Sequence, residues 1–89
     1  MWHEIAWTDM SEQHIARHNV TPADVHEVLQ ADPKLYRPGR DNTTLVFGTT
    51  NSGRHLLVVL AEALDGRDYV VTAREMTPGE KKNFKHKGT

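Results

Sequence analysis

His55-Leu56-Leu57-Val58-Val59-Leu60-Ala61 is the stretch that decides the fold, because it is almost entirely apolar. A strand with such a continuous apolar run is covered on both faces and therefore lies at the centre of a sheet. Asn51-Ser52-Gly53 precedes it and predicts a hairpin turn from a strand over residues 43–49. Asp65-Gly66 follows it and predicts a second hairpin, into a strand over residues 69–74. The centre of the protein is thus predicted to be a β-meander.

A short strand and a first helix are predicted near the start of the chain. Residues 4–7 are typical of a short opening strand. Asp9 and Glu12 have the spacing of a capping box, and a helix is expected over residues 11–18. Its inward-facing residues are predicted to be Ile15 and Ala16.

A second helix follows directly. Asn19 is a suitable stop for the first helix, since asparagine tolerates positive φ. Thr21-Pro22-Ala23-Asp24 then supplies a cap, a proline in the first turn and an acid near the positive end of the helix dipole. Apolar residues follow at helical spacing, and Asp32-Pro33 ends the helix. These apolar residues are Val25, Val28 and Leu29.

The predicted fold class is α+β, with the element order β-α-α-β-β-β-α. Leu35-Tyr36 is a candidate short edge strand, and residues 37–42 are rich in turn-forming residues. A closing helix is expected from Pro78 to about Lys87, with Phe84 as its only clear apolar anchor. We expect an antiparallel sheet with the helices packed on one face.

Length and composition limit the classes of protein to consider. The 89 residues are expected to form a single domain over 1–89. The chain has no cysteine, which removes disulfides, thiolate metal sites and cysteine nucleophiles from consideration. The longest apolar run, residues 56–61, is too short to cross a membrane, and the first residues lack the features of a signal peptide. We therefore expect a soluble cytoplasmic protein with no membrane partner.

Charge is distributed unevenly along the chain. The formal net charge is −1, but residues 1–73 carry −4 and residues 74–89 carry +3. Such an asymmetry is what a local phosphate-binding patch produces, although a solvated, lysine-rich tail produces it equally well. Nucleic acid is therefore the first substrate class to consider.

The passage from the last strand to the last helix concentrates this positive charge. Arg74 ends a β-branched run, and Thr77-Pro78-Gly79-Glu80 then has the pattern of a capping box with proline at the first helical position. An arginine beside a helix start and a lysine cluster is suited to holding a phosphate. The alternative for Arg74 is a structural ion pair with Glu62 or Glu75. The nearby lysines are Lys81, Lys82, Lys85 and Lys87.

Histidine supplies the other candidate chemistry. His14 and His18 lie four residues apart and can share one helix face, which a metal-dependent hydrolase would require. The chain lacks a His-Glu-x-x-His motif, however, and a metal site is not predicted. His18 follows Arg17 at a helix end, where one residue can move a proton while the other binds phosphate. Its alternative is a structural histidine.

The remaining candidates each have a functional and a structural explanation. Arg54 follows a predicted turn and is either a phosphate ligand or a turn-flanking charge. Arg37 and Arg40 bracket Pro38-Gly39 and either contact an RNA backbone or are solvated loop residues. The tryptophans, Trp2 and Trp7, can stack on bases, but core anchoring is the simpler role beside a strand and a helix start.

Four stretches, in order, resemble the BrnT-like toxins of bacterial type II toxin–antitoxin systems. The resemblance runs from about residue 4 to residue 84. Asn19 stands where the family usually has glycine, and the net charge is lower than is typical of such a toxin. The four stretches are Glu4-Ile5-Ala6-Trp7-Thr8-Asp9, Arg17-His18-Asn19-Val20-Thr21-Pro22, Gly53-Arg54-His55-Leu56-Leu57-Val58-Val59 and Val71-Thr72-Ala73-Arg74-Glu75-Met76-Thr77-Pro78-Gly79-Glu80.

The resemblance implies a RelE-like fold and a metal-independent endoribonuclease toxin that inhibits translation without a cofactor. His18, Arg54 and Arg74 become the candidate catalytic residues, and the RNA-binding candidates are Arg17, Lys81, Lys82 and Lys85. The partners implied are an RNA substrate and a cognate antitoxin, often a ribbon-helix-helix DNA-binding protein. The assembly is then a dimer or a toxin–antitoxin hetero-oligomer. The alternative is a non-catalytic toxin homologue that acts as a protein-binding module.

Overall fold

Within residues 5–87, the chain forms a mixed α/β fold in which three helices accompany one five-stranded sheet. The computed structural model describes residues 5–87, and side chains up to residue 86. The strands are β1 (Ile5–Ala6), β2 (Leu35–Pro38), β3 (Thr43–Thr49), β4 (His55–Glu62) and β5 (Asp68–Glu75). The helices are α1 (Asp9–Ala16), α2 (Pro22–Gln30) and α3 (Pro78–Lys87), and a 3-10 turn covers Arg40–Asn42. No helix within this described range is long and apolar enough to cross a membrane.

The sheet is mostly antiparallel. Its strand order is β1-β5-β4-β3-β2, and only β1 and β5 run parallel to each other. The predicted strand at 43–49, the central strand and both hairpins are confirmed, since local turn chemistry specifies them. The candidate edge strand at Leu35-Tyr36 is confirmed and extends to Pro38, which adds one strand to the predicted element order. Of the opening strand predicted over residues 4–7, Ile5–Ala6 is confirmed, Trp7 lies beyond the strand, and Glu4 lies outside the described residues.

The two faces of β4 pack against different helices. Leu56, Val58 and Leu60 belong to the larger core cluster, which also holds Ile15 from α1 and Val25 from α2. We call this side of the sheet the α1/α2 face. Apolar residues of both layers are almost completely buried there, so this face supplies most of the core.

The opposite side of the sheet is covered by α3. Leu57 of β4 packs in a second buried cluster with Phe47, Met76 and Phe84. We call this side the α3 face. The prediction that all helices pack on one face is therefore wrong. Successive residues of β4 point to opposite faces, so Leu57 points away from α1 and α2. Phe84 packs against Leu57, and α3 therefore lies on that second face.

The first helix begins two residues earlier than predicted. Thr8, and not Asp9, is the N-cap, because the Thr8 Oγ1 accepts a hydrogen bond from the Ser11 backbone N–H at 3.0 Å. Helix α1 ends at Ala16. Ala16 is exposed, so the prediction that it faces inward is wrong. Asn19 has φ 57°, which confirms its predicted role as the helix stop.

The second helix follows its prediction closely. Thr21 and Asp24 form a reciprocal capping box, and Val25, Val28 and Leu29 are buried. Helix α2 lies close to β3, since a Cβ built on Gly48 would lie 3.2 Å from the Val28 carbonyl oxygen. A larger residue at Gly48 would push the helix away from the sheet.

Candidate functional site

Arg74 lies near the end of β5, on the α3 face, in register with Leu57. Its guanidinium forms a two-pronged contact with Glu80, in which Nη1 lies 2.8 Å from Oε1 and Nη2 lies 3.0 Å from Oε2. Nη1 also donates to the Glu75 carbonyl at 3.0 Å. The carboxylate that pairs with Arg74 is thus Glu80. The structural alternative expected from the sequence, a pair with Glu62 or Glu75, is wrong about the partner. About a third of the arginine side chain, 36%, remains exposed.

Glu80 joins this ion pair to the start of α3. Its Oε1 accepts the Thr77 backbone N–H at 2.8 Å, and its own N–H donates to the Thr77 Oγ1 at 3.2 Å. The predicted capping box is therefore present, and the same carboxylate also binds the candidate arginine. The hydrogen bonds from Arg74 hold the pKa of Glu80 below its usual value, and those to Glu80 raise the pKa of Arg74.

The lysines of α3 follow this pair directly. Lys81 is half-buried, whereas Lys82 and Lys85 are exposed. Lys82, Lys85 and His86 are among the residues that line an open depression of about 590 Å³. The α3 lysines therefore lie on the same side of the sheet as Arg74.

Arg54 occupies a different position, at the α1/α2 face. Its Nε and Nη2 donate to the Glu75 carboxylate at 3.3 and 3.0 Å, and its Nη1 donates to the Asn19 carbonyl at 2.8 Å. Nη1 also lies 3.3 Å from the Asp24 carboxylate. Arg54 thus connects β5, the turn between α1 and α2, and the cap of α2. The Arg54 guanidinium, a candidate phosphate ligand, thus forms ion pairs with two carboxylates, those of Asp24 and Glu75.

The predicted catalytic residues fall into two groups. His18 and Arg17 are exposed at the end of α1, and the next residue, Asn19, contacts Arg54. Arg54 binds Glu75, whose strand partner Leu56 lies on the α1/α2 face. The strand partner of Arg74 is Leu57, which lies on the α3 face, so Arg74 and Arg54 are on opposite faces of the sheet. The fold therefore brings Arg17, His18 and Arg54 to one side of the sheet and leaves Arg74 with the α3 lysines on the other.

His55 is a residue that the sequence analysis missed. It is the first residue of β4 and lies two residues before Leu57, so both side chains point to the α3 face. Arg74 lies on the same face. The Nδ1 of His55 is hydrogen-bonded to the Thr49 Oγ1 at 2.9 Å, and its ring centroid lies 6.0 Å from that of Phe84. The two-residue period of the strand is the signal that could have placed it beside Arg74 and opposite to Arg54.

His14 has a structural partner. Its Nδ1–H donates to the Val71 carbonyl at 3.0 Å, and Ser11 donates to the Val70 carbonyl at 2.7 Å. The pairing of β1 with β5 covers only Asp68 and Tyr69. The side chains of Ser11 and His14 thus supply hydrogen bonds to the next two carbonyls of β5. Within residues 5–87, no three His, Asp or Glu side chains group together as potential metal ligands.

The other candidates have the following positions. Trp7 packs against the core cluster of the α1/α2 face, and its ring centroid lies 6.1 Å from that of His26, in agreement with core anchoring. Trp2 lies outside the described residues. Arg37 belongs to β2 and is half-buried, whereas Arg40 is exposed in the 3-10 turn.

Comparison with known proteins gives no further assignment. No protein-family model matches this chain, and no curated protein matches it.

Proposed function

We propose that this protein is a metal-independent endoribonuclease toxin with a RelE-like fold, the toxin of a BrnT-like type II toxin–antitoxin module. The proposal has two supports, the ordered resemblance of four stretches and the arrangement around Arg74. The single observation that carries the site is this partly exposed guanidinium, on the side of the sheet that also holds the lysines of α3. A guanidinium fork suits the oxygens of a phosphodiester, and lysines attract the backbone on either side.

The reaction proposed is attack by an RNA 2′-hydroxyl on its neighbouring phosphate. The O2′–P bond forms, the P–O5′ bond breaks, and the products are a cyclic phosphate and a 5′-hydroxyl. Arg74 would stabilise the charge that develops on the phosphate oxygens, while Lys81, Lys82 and Lys85 would guide the strand. Arg17, His18 and Arg54, across the sheet, would contribute only if the RNA wrapped around its edge.

A cleavage assay tests the proposal. Purified protein is incubated with single-stranded RNA, with and without a chelator, and we expect cleavage in both conditions. Arg74→Ala should lower the cleavage rate by about 100-fold or more, as loss of a charge-stabilising donor does. Arg67→Ala is the matched control, because it removes an exposed arginine in the turn between β4 and β5, where no RNA contact is predicted. Intact RNA at high concentrations of the native protein would refute the proposal.

A second function is favoured by a specific observation. In the free protein, carboxylates already occupy Arg54 and Arg74, as expected of a non-catalytic homologue that only binds a partner protein. Expression in bacteria without an antitoxin separates the two. Growth arrest that Arg74→Ala relieves supports the ribonuclease, whereas unimpaired growth with the native protein supports the binding module.

A further inference from the structure

We propose that His55 is the proton-transfer residue of the Arg74 site. This inference rests on the proposed function and names a group that the proposed reaction requires. The sequence alone suggested His18 for that role. His18, however, lies at an exposed helix end on the α1/α2 side, while Arg74 projects from the α3 face.

The register of the sheet brings His55 close to Arg74. Leu57 is the strand partner of Arg74, and the Met76 N–H donates to the His55 carbonyl at 3.0 Å. His55 and Arg74 are therefore diagonal neighbours on one face, with a separation of about 7–8 Å between such positions. One phosphodiester group fits between two side chains at that spacing, so each can contact a different atom of it.

The surroundings of His55 fix its ring. Thr49 binds Nδ1 from β3, and the Phe84 ring packs against the imidazole from α3. When Nδ1–H donates to Thr49, Nε2 is left as the proton acceptor, and this is the tautomer that a general base requires. Among the charged residues, Arg74 is the diagonal neighbour of His55 on β5, Glu80 of α3 binds Arg74, and Lys85 follows Phe84 in the chain.

The proton balance of the step is complete with one histidine. Nε2 of His55 accepts the 2′-hydroxyl proton as O2′ bonds to phosphorus. The same imidazolium then returns a proton to O5′ as the P–O5′ bond breaks. Arg74 stabilises the phosphate throughout, and no further reactant is needed.

The test compares His55→Gln with the matched variant His18→Gln. Single-turnover cleavage of an RNA oligonucleotide is measured from pH 5 to pH 9, and folding is verified by circular dichroism. We expect His55→Gln to lose about 100-fold or more of the rate, together with one ionisation of the pH profile, as for the loss of a general acid–base group. His18→Gln should change the rate less than about 3-fold.

A third variant separates chemistry from packing, because His55 also contacts Thr49 and Phe84. Free imidazole should restore part of the activity of His55→Ala, which a purely structural role does not predict. A native rate in His55→Gln, or a larger loss in His18→Gln, would overturn the inference and leave the ribonuclease proposal intact. Absence of cleavage by the native protein would overturn both.

Discussion

At the scale of single residues, the pair between Arg74 and Glu80 would control access to the phosphate site proposed above. A carboxylate and a phosphate both present two oxygens to a guanidinium fork, so Glu80 occupies the place that a phosphate group would take. Both side chains are partly exposed, about a third for Arg74 and about a quarter for Glu80, so such an exchange is possible. Glu80 is then a competitor within the molecule as well as a helix cap.

Glu80→Gln should strengthen RNA binding. Glutamine keeps the capping box, which accepts Glu or Gln at this position, but loses the charge that holds Arg74. We expect the Kd for a non-cleavable 2′-deoxy oligonucleotide to fall by about 5-fold, measured by fluorescence anisotropy at fixed salt. Glu62→Gln is the control, because it makes the same change in net charge at the exposed end of β4. An equal effect of both variants would indicate net charge alone.

Arg54→Lys should lower stability without affecting a site on the α3 face. Lysine cannot donate at once to Glu75, the Asn19 carbonyl and Asp24 as the guanidinium does. We expect a loss of about 1 kcal/mol in the free energy of unfolding, because these contacts are only partly exposed. Urea denaturation measures it. Arg67→Lys, in a more exposed pair with Asp65, should cost less than about 0.5 kcal/mol.

At the scale of elements, α3 is held to the sheet by few contacts. Phe84 is its buried anchor, and Glu80 connects its first turn to Arg74 and Thr77. A short helix with one anchor depends on such tertiary contacts for its stability. The order of helix α3 should therefore be sensitive to conditions that weaken these contacts.

Acid should release α3 before the rest of the fold. Because Arg74 lowers the pKa of Glu80 in the folded protein, their contact stabilises α3 above the usual glutamate pKa. That contribution is lost as the pH falls through the lowered value. Hydrogen exchange, corrected for its intrinsic pH dependence, should show α3 amides losing protection in this acidic range. Glu80→Gln should remove most of this dependence, and an unchanged profile would contradict the assignment.

The elements differ in how far the sequence predicts them. The turns at Asn51 and Asp65 and the cap at Thr21 were predictable, because each depends on residues within a few positions. The face on which α3 packs and the partners of Arg54 were not, because they depend on contacts between distant parts of the chain. His55 was overlooked because its stretch was interpreted for its apolar residues alone, although strand alternation would have placed it.

At the scale of the whole molecule, the sheet is covered unequally on its two faces. The α1/α2 face supports a cluster of fully buried residues, whereas the α3 face leaves Leu35, Leu45 and Val59 only partly buried. The stable half of the protein and the half that carries the candidate chemistry are thus two sides of one sheet.

Val58→Ala and Val59→Ala form a matched test of this asymmetry. Val58 is completely buried on the α1/α2 face, and its neighbour Val59 is half-buried on the α3 face. We expect truncation of Val58 to cost about 2 kcal/mol or more, and truncation of Val59 about 1 kcal/mol or less. Chemical denaturation of both variants measures the difference, and equal losses would mean that the two faces support the fold equally.

The parallel pairing of β1 with β5 has a consequence for the order of folding. Ile5 pairs with Asp68, so β1 can join the sheet only after β5 has been synthesised. The hairpins between β3 and β5, by contrast, close over short loops and are favoured early. During synthesis, β1 must therefore wait for β5 before it can cover the edge of that strand.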